Sequence, residues 1–179
     1  MKHKVGLYIG RFQPFHKGHL SVVREALNHC EKLIIVVGSA QEFGTKKNPF
    51  TFELRKEFIL RGLRGLGKDV CIIPINDRPE VENDCGWGEY VMKEIFVHTG
   101  YIPTVNFEGH EAVRAHWFDT VDIERVELSR DVLPFSATIL RKAIVEDDYY
   151  AFTNMMPTAL WIKYSLMRMI LLEVENETI

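Results

Sequence analysis

The chain has 179 residues, 46% of them hydrophobic and 26% charged, ordinary values for a folded globular protein and unlike those of a disordered one. Its formal net charge of −3 excludes a protein that coats DNA through a uniformly basic surface, yet that average hides a split: residues 1–68 carry 13 basic and 5 acidic side chains (+8), and residues 69–179 carry 9 and 20 (−11). The length suits one domain with a single core, and the apolar run Leu33–Val37 is far short of the ~20 residues of a membrane span.

Taken in order, the elements begin with Val5–Gly10, apolar and ended by glycine, which predicts a strand; its apolar stretch is too short for a secretory signal. His19–His29 places Leu20, Val23, Ala26 and Leu27 on one face of a helix. Lys32–Gly38 is almost continuously aliphatic, as in a strand buried on both faces. Thr51 is placed to cap a helix reaching Leu63, with Leu54, Phe58, Ile59 and Leu63 at helical spacing. Asp69–Ile75 predicts a third strand, Trp87–His98 a helix, Thr104–Glu108 a fourth strand and Asp122–Leu128 a fifth, with apolar and charged residues alternating. Ser136 can cap a short helix running to about Val145. Pro157, suited to a first helical position, opens a last helix to about Glu173. Arg168 interrupts the apolar Tyr164–Leu172 stretch of that helix. Cys30, Cys71 and Cys85 are odd in number and lack a Cys-x-x-Cys pair, which fits reduced, mostly buried thiols in a cytoplasmic protein better than disulfides or a zinc site.

Alternating strands and helices imply βαβ units, right-handed crossovers and a parallel sheet. Ligands of such sheets bind beyond the carboxyl ends of the strands, where the strand order reverses, so the loops after the first four strands are where chemistry is expected. The first of these, Gly10-Arg11-Phe12-Gln13-Pro14-Phe15-His16-Lys17-Gly18-His19, leaves a strand and enters a helix. A helix N-terminus offers unpaired N–H groups and partial positive charge, which suits phosphate. Arg11, Lys17, His16 and His19 surround it, and Gly18 lets backbone approach a ligand. Two histidines with no third ligand nearby make a poor metal site. Singly, these residues also have bland readings: polar turn histidines, a solvated Lys46-Lys47 pair, Ser136 as a plain helix cap, Trp87 as a core anchor. The strand–loop–helix context favours function for the histidines.

The stretch Gly10–Leu20 resembles the signature of the nucleotidyltransferase superfamily with the His-x-Gly-His motif, and its Arg-Phe-Gln-Pro-Phe form resembles archaeal-type nicotinamide-nucleotide adenylyltransferases. Three further stretches match in order: Gly38-Ser39-Ala40-Gln41; Asn48-Pro49-Phe50-Thr51 followed by Glu53 and Arg55; and Ser136-Ala137-Thr138-Ile139-Leu140-Arg141, similar to the second signature Ser-x-Thr-x-x-Arg. The resemblance spans about residues 4 to 145. It implies an α/β fold with a Rossmann-like, doubly wound parallel sheet and C-terminal helices, a single domain with its core in residues 1–145 and a helical segment in 146–179. A Nudix hydrolase domain, to which this form is elsewhere fused, is not expected.

The resemblance further implies transfer of the ATP adenylyl group to a mononucleotide phosphate, by in-line attack on the α-phosphorus with release of pyrophosphate. His16, His19, Arg11 and Arg141 would be the catalytic residues. Gly10, Gly18, Lys47, Gly109, Ser136 and Thr138 would join them in binding ATP, and Mg2+ would arrive on the ATP phosphates rather than in a protein metal site. Gly38, Ser39, Gln41, Phe50, Arg55, Asp77, Asn83 and Trp87 would bind the second substrate, with Trp87 stacking on a flat cationic ring. The segment Asp77–Asn83 is about two residues longer than the family form, Ala112-Val113 replaces the usual Lys-Asp after Gly109-His110-Glu111, and Ala137 and Ile139 replace a common glycine and acid.

The acceptor expected is nicotinamide mononucleotide; nicotinate mononucleotide, phosphopantetheine or flavin mononucleotide are the alternatives in the same fold, and Arg78 is a candidate partner for a nicotinate carboxylate. A non-catalytic nucleotide sensor is the reading from another class, and it would be expected to lack His16, His19 or Arg141, all of which are present. Nucleic-acid and membrane partners are not expected. The last predicted helix is apolar over much of its circumference (Leu160, Trp161, Ile162, Tyr164, Leu166, Met167, Met169, Ile170, Leu171), which predicts self-association, readable by sedimentation.

Overall fold

A computed structural model describes residues 3–66, 69–78, 86–109, 116–128 and 136–176. In chain order the elements are β1 (His3–Gly10), α1 (Lys17–His29), β2 (Cys30–Val37), α2 (Phe52–Gly62), β3 (Asp69–Pro74), α3 (Gly86–Thr99), β4 (Val105–Glu108), β5 (Glu124–Glu127), α4 (Ala137–Val145), α5 (Tyr149–Met155), a 3-10 helix (Thr158–Lys163) and α6 (Tyr164–Asn176). They fall into two compact units: Met1–Gly10, Val22–Ser39 and Lys68–Arg130 form the first, and Arg11–Ser21, Ala40–Gly67 and Asp131–Ile179 form the second.

The first unit holds the five strands found among the described residues. They are parallel and ordered β3-β2-β1-β4-β5, the Rossmann-like arrangement in which the chain builds outward from β1 twice in opposite directions. Leu33 to Val37 of β2 are all buried, which a strand achieves only when both faces of its sheet are covered. On one face Val5, Leu7, Ile34, Val36, Ile73 and Ile75 pack with Trp87, Val91 and Ile95, spaced four residues apart along α3, and with Phe118. Gly6 sits at the crowded centre: a Cβ there would lie 2.6 Å from the Phe107 ring. β5 is shorter than the predicted Asp122–Leu128, although Leu128 N–H still donates to the Glu108 carbonyl (2.9 Å). Its charged Glu124, Arg125 and Glu127 suit an edge strand, where charge discourages further strand addition.

Gly88 marks where α3 meets the 116–121 turn. A Cβ added there would stand 2.2 Å from the Trp117 carbonyl oxygen and 3.1 Å from the Phe118 ring. Alanine is intrinsically the better helix residue by about 1 kcal/mol, but overpacking against backbone costs roughly 1–3 kcal/mol or more, so packing wins. Gly88→Ala is therefore expected to lower Tm by several degrees in a thermal melt; an unchanged or higher Tm would show that α3 does not seat on this turn.

In the second unit, Thr51 caps α2 by accepting the Leu54 N–H (3.4 Å), and Ser136 caps α4 by accepting that of Ile139 (3.1 Å), as predicted. Two features depart from the sequence reading. α5 has only seven residues, too few to show a helical period, and it announces itself only through Asp148, whose carboxylate accepts the Ala151 N–H (2.9 Å). The predicted single last helix is a 3-10 helix followed by α6, with Pro157 outside it. The 3-10 segment is tied to α2 by the Lys163 ammonium on Glu57 (2.8 Å), and hydrogen bonds from Lys163 and then Arg61 hold the Glu57 carboxyl below its usual range. Leu160, Met167, Leu171 and Val174 are buried, whereas Ile162 is 81% and Met169 52% exposed, so the segment buries a stripe rather than its whole circumference. Among the described residues Cys30 and Cys71 form no disulfide, and Cys85 lies outside the described residues. Among the described residues no helix is long and apolar enough to cross a membrane.

Candidate functional site

β1 delivers the chain at Gly10 into the loop that ends at α1. Phe12 is buried in the left-handed region (φ 52°), a conformation that costs a non-glycine residue about 1–3 kcal/mol and recurs at functional sites. Phe15 is fully buried against Gly62 at the end of α2, where a Cβ would come within 2.7 Å of its ring. These two rings hold His19, Phe12 edge-on at 4.8 Å between centroids and Phe15 stacked at 5.7 Å. His16 stacks on His19 at 3.8 Å, and both imidazoles are buried. The backbone N–H of His16 donates to Nδ1 of His19 (3.3 Å), and that of Gly18 donates to Nδ1 of His16 (3.1 Å). The sequence reading assumed that the N-terminal amides of α1 are unpaired; two amides at this terminus are instead bonded to the motif's own rings.

Gln13 is the organiser that the sequence reading did not single out. Its buried side-chain amide pairs both ways with the backbone of Phe50, donating to the carbonyl (3.1 Å) and accepting from the N–H (3.0 Å). Its own carbonyl accepts from Nη1 of Arg141 (2.7 Å), whose Nη2 reaches Thr138 Oγ1 (3.4 Å). The loop thus fixes the second-signature arginine 128 residues away. Burial, and then the nearby charge of Arg11, lower the Arg141 pKa, although a guanidinium keeps its charge at neutral pH. Arg11 itself is exposed, so the second unit gathers two imidazoles and two neighbouring guanidiniums, a set suited to a polyanion.

Three other cations of the first third, Lys17, Lys46 and Arg55, are bonded elsewhere. Lys17 donates to the Thr153 carbonyl (3.2 Å), and Lys46 pairs with Glu175 (2.9 Å) at a half-exposed surface where such a bridge is worth little. Lys47 is exposed. Arg55 is fully buried: its guanidinium donates to the carbonyls of Arg11 (3.2 Å), Ala40 (3.3 Å), Glu42 (3.5 Å) and, through Nε, Thr51 (3.3 Å). Phe50 is fully buried edge-on to Phe58 (5.5 Å). Among the second-unit residues expected at a second-substrate pocket, then, Arg55 and Phe50 are interior and Gln41 is exposed.

In the first unit, Gly38 N–H donates to the Gly10 carbonyl (2.9 Å), joining the ends of β1 and β2, and Ser39 follows in the left-handed region (φ 47°). Gly109 follows β4, half-buried, and Asp77 is half-buried after β3. Trp87 is buried beside Tyr90 (5.3 Å) and Trp117 (5.5 Å), and among the described residues its indole N–H has no hydrogen-bond partner. The Arg78 guanidinium lies 4.7 Å over the Tyr90 ring. Asn83 and His110 lie outside the described residues. Among the described residues, no cluster of three or more His, Cys, Asp or Glu side chains is placed to hold a metal ion.

A family model described as Cytidylyltransferase-like matches residues 7–65. The nicotinamide-nucleotide adenylyltransferase of Thermococcus onnurineus is 33% identical over 147 residues, covering 81% of this chain and 74% of that protein. That of Saccharolobus solfataricus is 46% identical over 86 residues, 48% of this chain and 50% of that protein. Among solved structures, a bifunctional NMN adenylyltransferase/ADP ribose pyrophosphatase from Francisella tularensis, complexed with AMP and a manganese ion, superposes with a TM-score of 0.76 at 25% identity, covering 98% of this chain and 53% of that one. The matched region is thus about half the length of the Saccharolobus and Francisella proteins.

Proposed function

The chain belongs to the nicotinamide-nucleotide adenylyltransferase family, and from that premise we propose that it joins ATP to nicotinamide mononucleotide, giving NAD+ and pyrophosphate. A phosphate oxygen of the mononucleotide attacks the α-phosphorus of ATP in line; the new P–O bond forms as the bond to the β-phosphate oxygen breaks, and pyrophosphate leaves with that electron pair. Such a transfer calls for positioning and charge neutralisation rather than a covalent intermediate.

The observation that carries the reading is the stacked His16–His19 pair held in the same unit as Arg11 and Arg141. Imidazole N–H groups aimed at the phosphates strengthen their hydrogen bonds as charge develops at the α-phosphorus. Arg141, its fork steadied by Gln13 and Thr138, grips the β- and γ-phosphates, and Arg11 holds phosphate beside it. Two cations that disfavour each other at close range gain more from a shared polyanion than either gains alone. A divalent ion such as Mg2+, carried on the ATP phosphates and not by side chains of this chain, would neutralise part of their charge. By resemblance alone, Trp87, Asp77 and Asn83 of the first unit serve the acceptor.

Nicotinate mononucleotide is the second reading, favoured by the Arg78 cation over Tyr90, whose ring adjoins Trp87. The test is incubation with ATP, Mg2+ and a panel of acceptor nucleotides, following pyrophosphate and the dinucleotide formed. Turnover of nicotinamide mononucleotide above the other acceptors is the expected result. Turnover with a different acceptor alone would overturn the substrate assignment, and none with any acceptor would overturn the enzyme.

A further inference from the structure

The spacing of the two histidines has a physical reason in α1 itself. The helix begins at Lys17 and its first intrahelical bond runs from Leu20 N–H to the His16 carbonyl (3.0 Å), which makes His16 the N-cap and His19 the third helical residue. In a capping box, the N-cap side chain accepts an N–H from the first turn while the side chain three residues on reaches back to accept the N-cap N–H; Ser/Thr and Glu/Gln are the usual pair. Here Nδ1 of His16 accepts from Gly18 N–H (3.1 Å) and Nδ1 of His19 accepts from His16 N–H (3.3 Å). The topology is that of a capping box, with imidazole in both places.

Imidazole differs from the usual acceptors in one respect. A ring nitrogen that accepts a hydrogen bond carries no proton, so a neutral histidine bonded this way must carry its proton on the other nitrogen. A backbone N–H can only donate, so the direction of both bonds is fixed. Were Nδ1 protonated, donor would face donor and the cap would be lost. The packing holds the rings in this pose: His16 stacks on His19, and Phe12 and Phe15 close on His19.

We propose that His16 and His19 form the capping box of α1, and that this box locks both rings as neutral Nε2–H tautomers. Serine and glutamate would satisfy the same amides and offer no donor beyond. Histidine accepts from the helix terminus on one nitrogen and presents an N–H on the other, so the donor capacity of two backbone amides reappears at the Nε2 atoms. The positive charge at the site is then supplied by the arginines, and the histidines act as oriented neutral donors. That those Nε2–H groups meet phosphate rests on the adenylyl-transfer reading; the capping box does not.

Protein carrying 15N-labelled histidine, free of substrate and held at about pH 8 where an ordinary imidazole is neutral, tests this directly. Long-range 1H–15N spectra separate protonated from unprotonated ring nitrogens. His16 and His19 are expected to show Nε2 protonated and Nδ1 bare, and an Nδ1–H form in either residue would overturn the proposal. Amide hydrogen exchange gives a second reading. The His16 and Gly18 N–H groups should be protected although neither has an intrahelical acceptor, with Gly18 losing protection in His16→Ala and His16 losing it in His19→Ala. Fast exchange in the unsubstituted protein, or protection indifferent to these substitutions, would also overturn the proposal. The locked tautomers alongside an inactive acceptor panel would remove the adenylyl-transfer reading and leave the capping box standing.

Discussion

His19→Ala is expected to slow adenylyl transfer by about 10²–10³-fold, the usual cost of removing one oriented donor from a developing oxyanion. The loss should fall on kcat, with the KM for ATP changing far less, because the bond strengthens as charge accumulates at the α-phosphorus. A structural effect runs beside it. The substitution leaves His16 N–H without its acceptor, and losing a capping interaction costs about 1 kcal/mol of stability. It also opens space between Phe12 and Phe15. His19→Asn separates the two contributions: its Oδ1 stands where Nδ1 stood and can accept the same amide, but nothing replaces the Nε2 donor. Stability should recover in the asparagine variant and the rate should not. Steady-state kinetics with a thermal melt on both variants decides the matter, and a folded His19→Ala protein with full activity would sink the role assigned to this ring.

Sequence showed most of the frame because the frame is built from short-range patterns. The unbroken aliphatic run of β2, the helical spacing of Leu54, Phe58 and Ile59, and the caps Thr51 and Ser136 all lie within one or two turns of what they determine. The parallel direction of the strands follows from their alternation with helices, whereas their order comes from the structure. What escaped has long reach or little length. Nothing local to Gln13 marks it as the clamp on Phe50, 37 residues on, or as the carbonyl that holds Arg141. α5 is under two turns long, and the switch from 3-10 to α geometry at Tyr164 breaks no apolar period.

The charge split of the sequence likewise says nothing of where each cation goes. Arg11, Lys17, Lys46, Lys47 and Arg55 look like one cluster of cations when read along the chain. Folding diverts Lys17 to Thr153, Lys46 to Glu175 and Arg55 to backbone carbonyls, each partner set by tertiary structure. The pair of neighbouring guanidiniums draws Arg11 from the basic first third and Arg141 from the acidic remainder of the chain, and it is this pair, rather than the +8 count, on which the proposed phosphate site rests.

Arg55→Met is expected to destabilise the fold by roughly 3 kcal/mol, a large share of the ~5–15 kcal/mol that holds a domain together. Two effects compete. Removing a fully buried guanidinium relieves its desolvation, and replacing charge by a similar apolar volume is sometimes stabilising. That relief is complete only when the partners are replaced too, and here they are main-chain carbonyls that no single substitution removes. Thr51 O keeps the Arg55 backbone N–H (3.1 Å), so the loss concentrates on Arg11, Ala40 and Glu42. These carbonyls lie on the His-x-Gly-His loop and on the segment leading to Lys47, so one side chain ties both to α2. Arg55→Lys keeps the charge but not the planar fork, and a single ammonium cannot span the same carbonyls. It should fold with an intermediate loss and a lower kcat/KM, as the loop bearing Arg11 loosens. Urea unfolding of both variants gives the order: wild type most stable, lysine between, methionine least. A methionine variant as stable as the wild type would show that the desolvation of Arg55 outweighs its bonds, and that the two loops are held by other contacts.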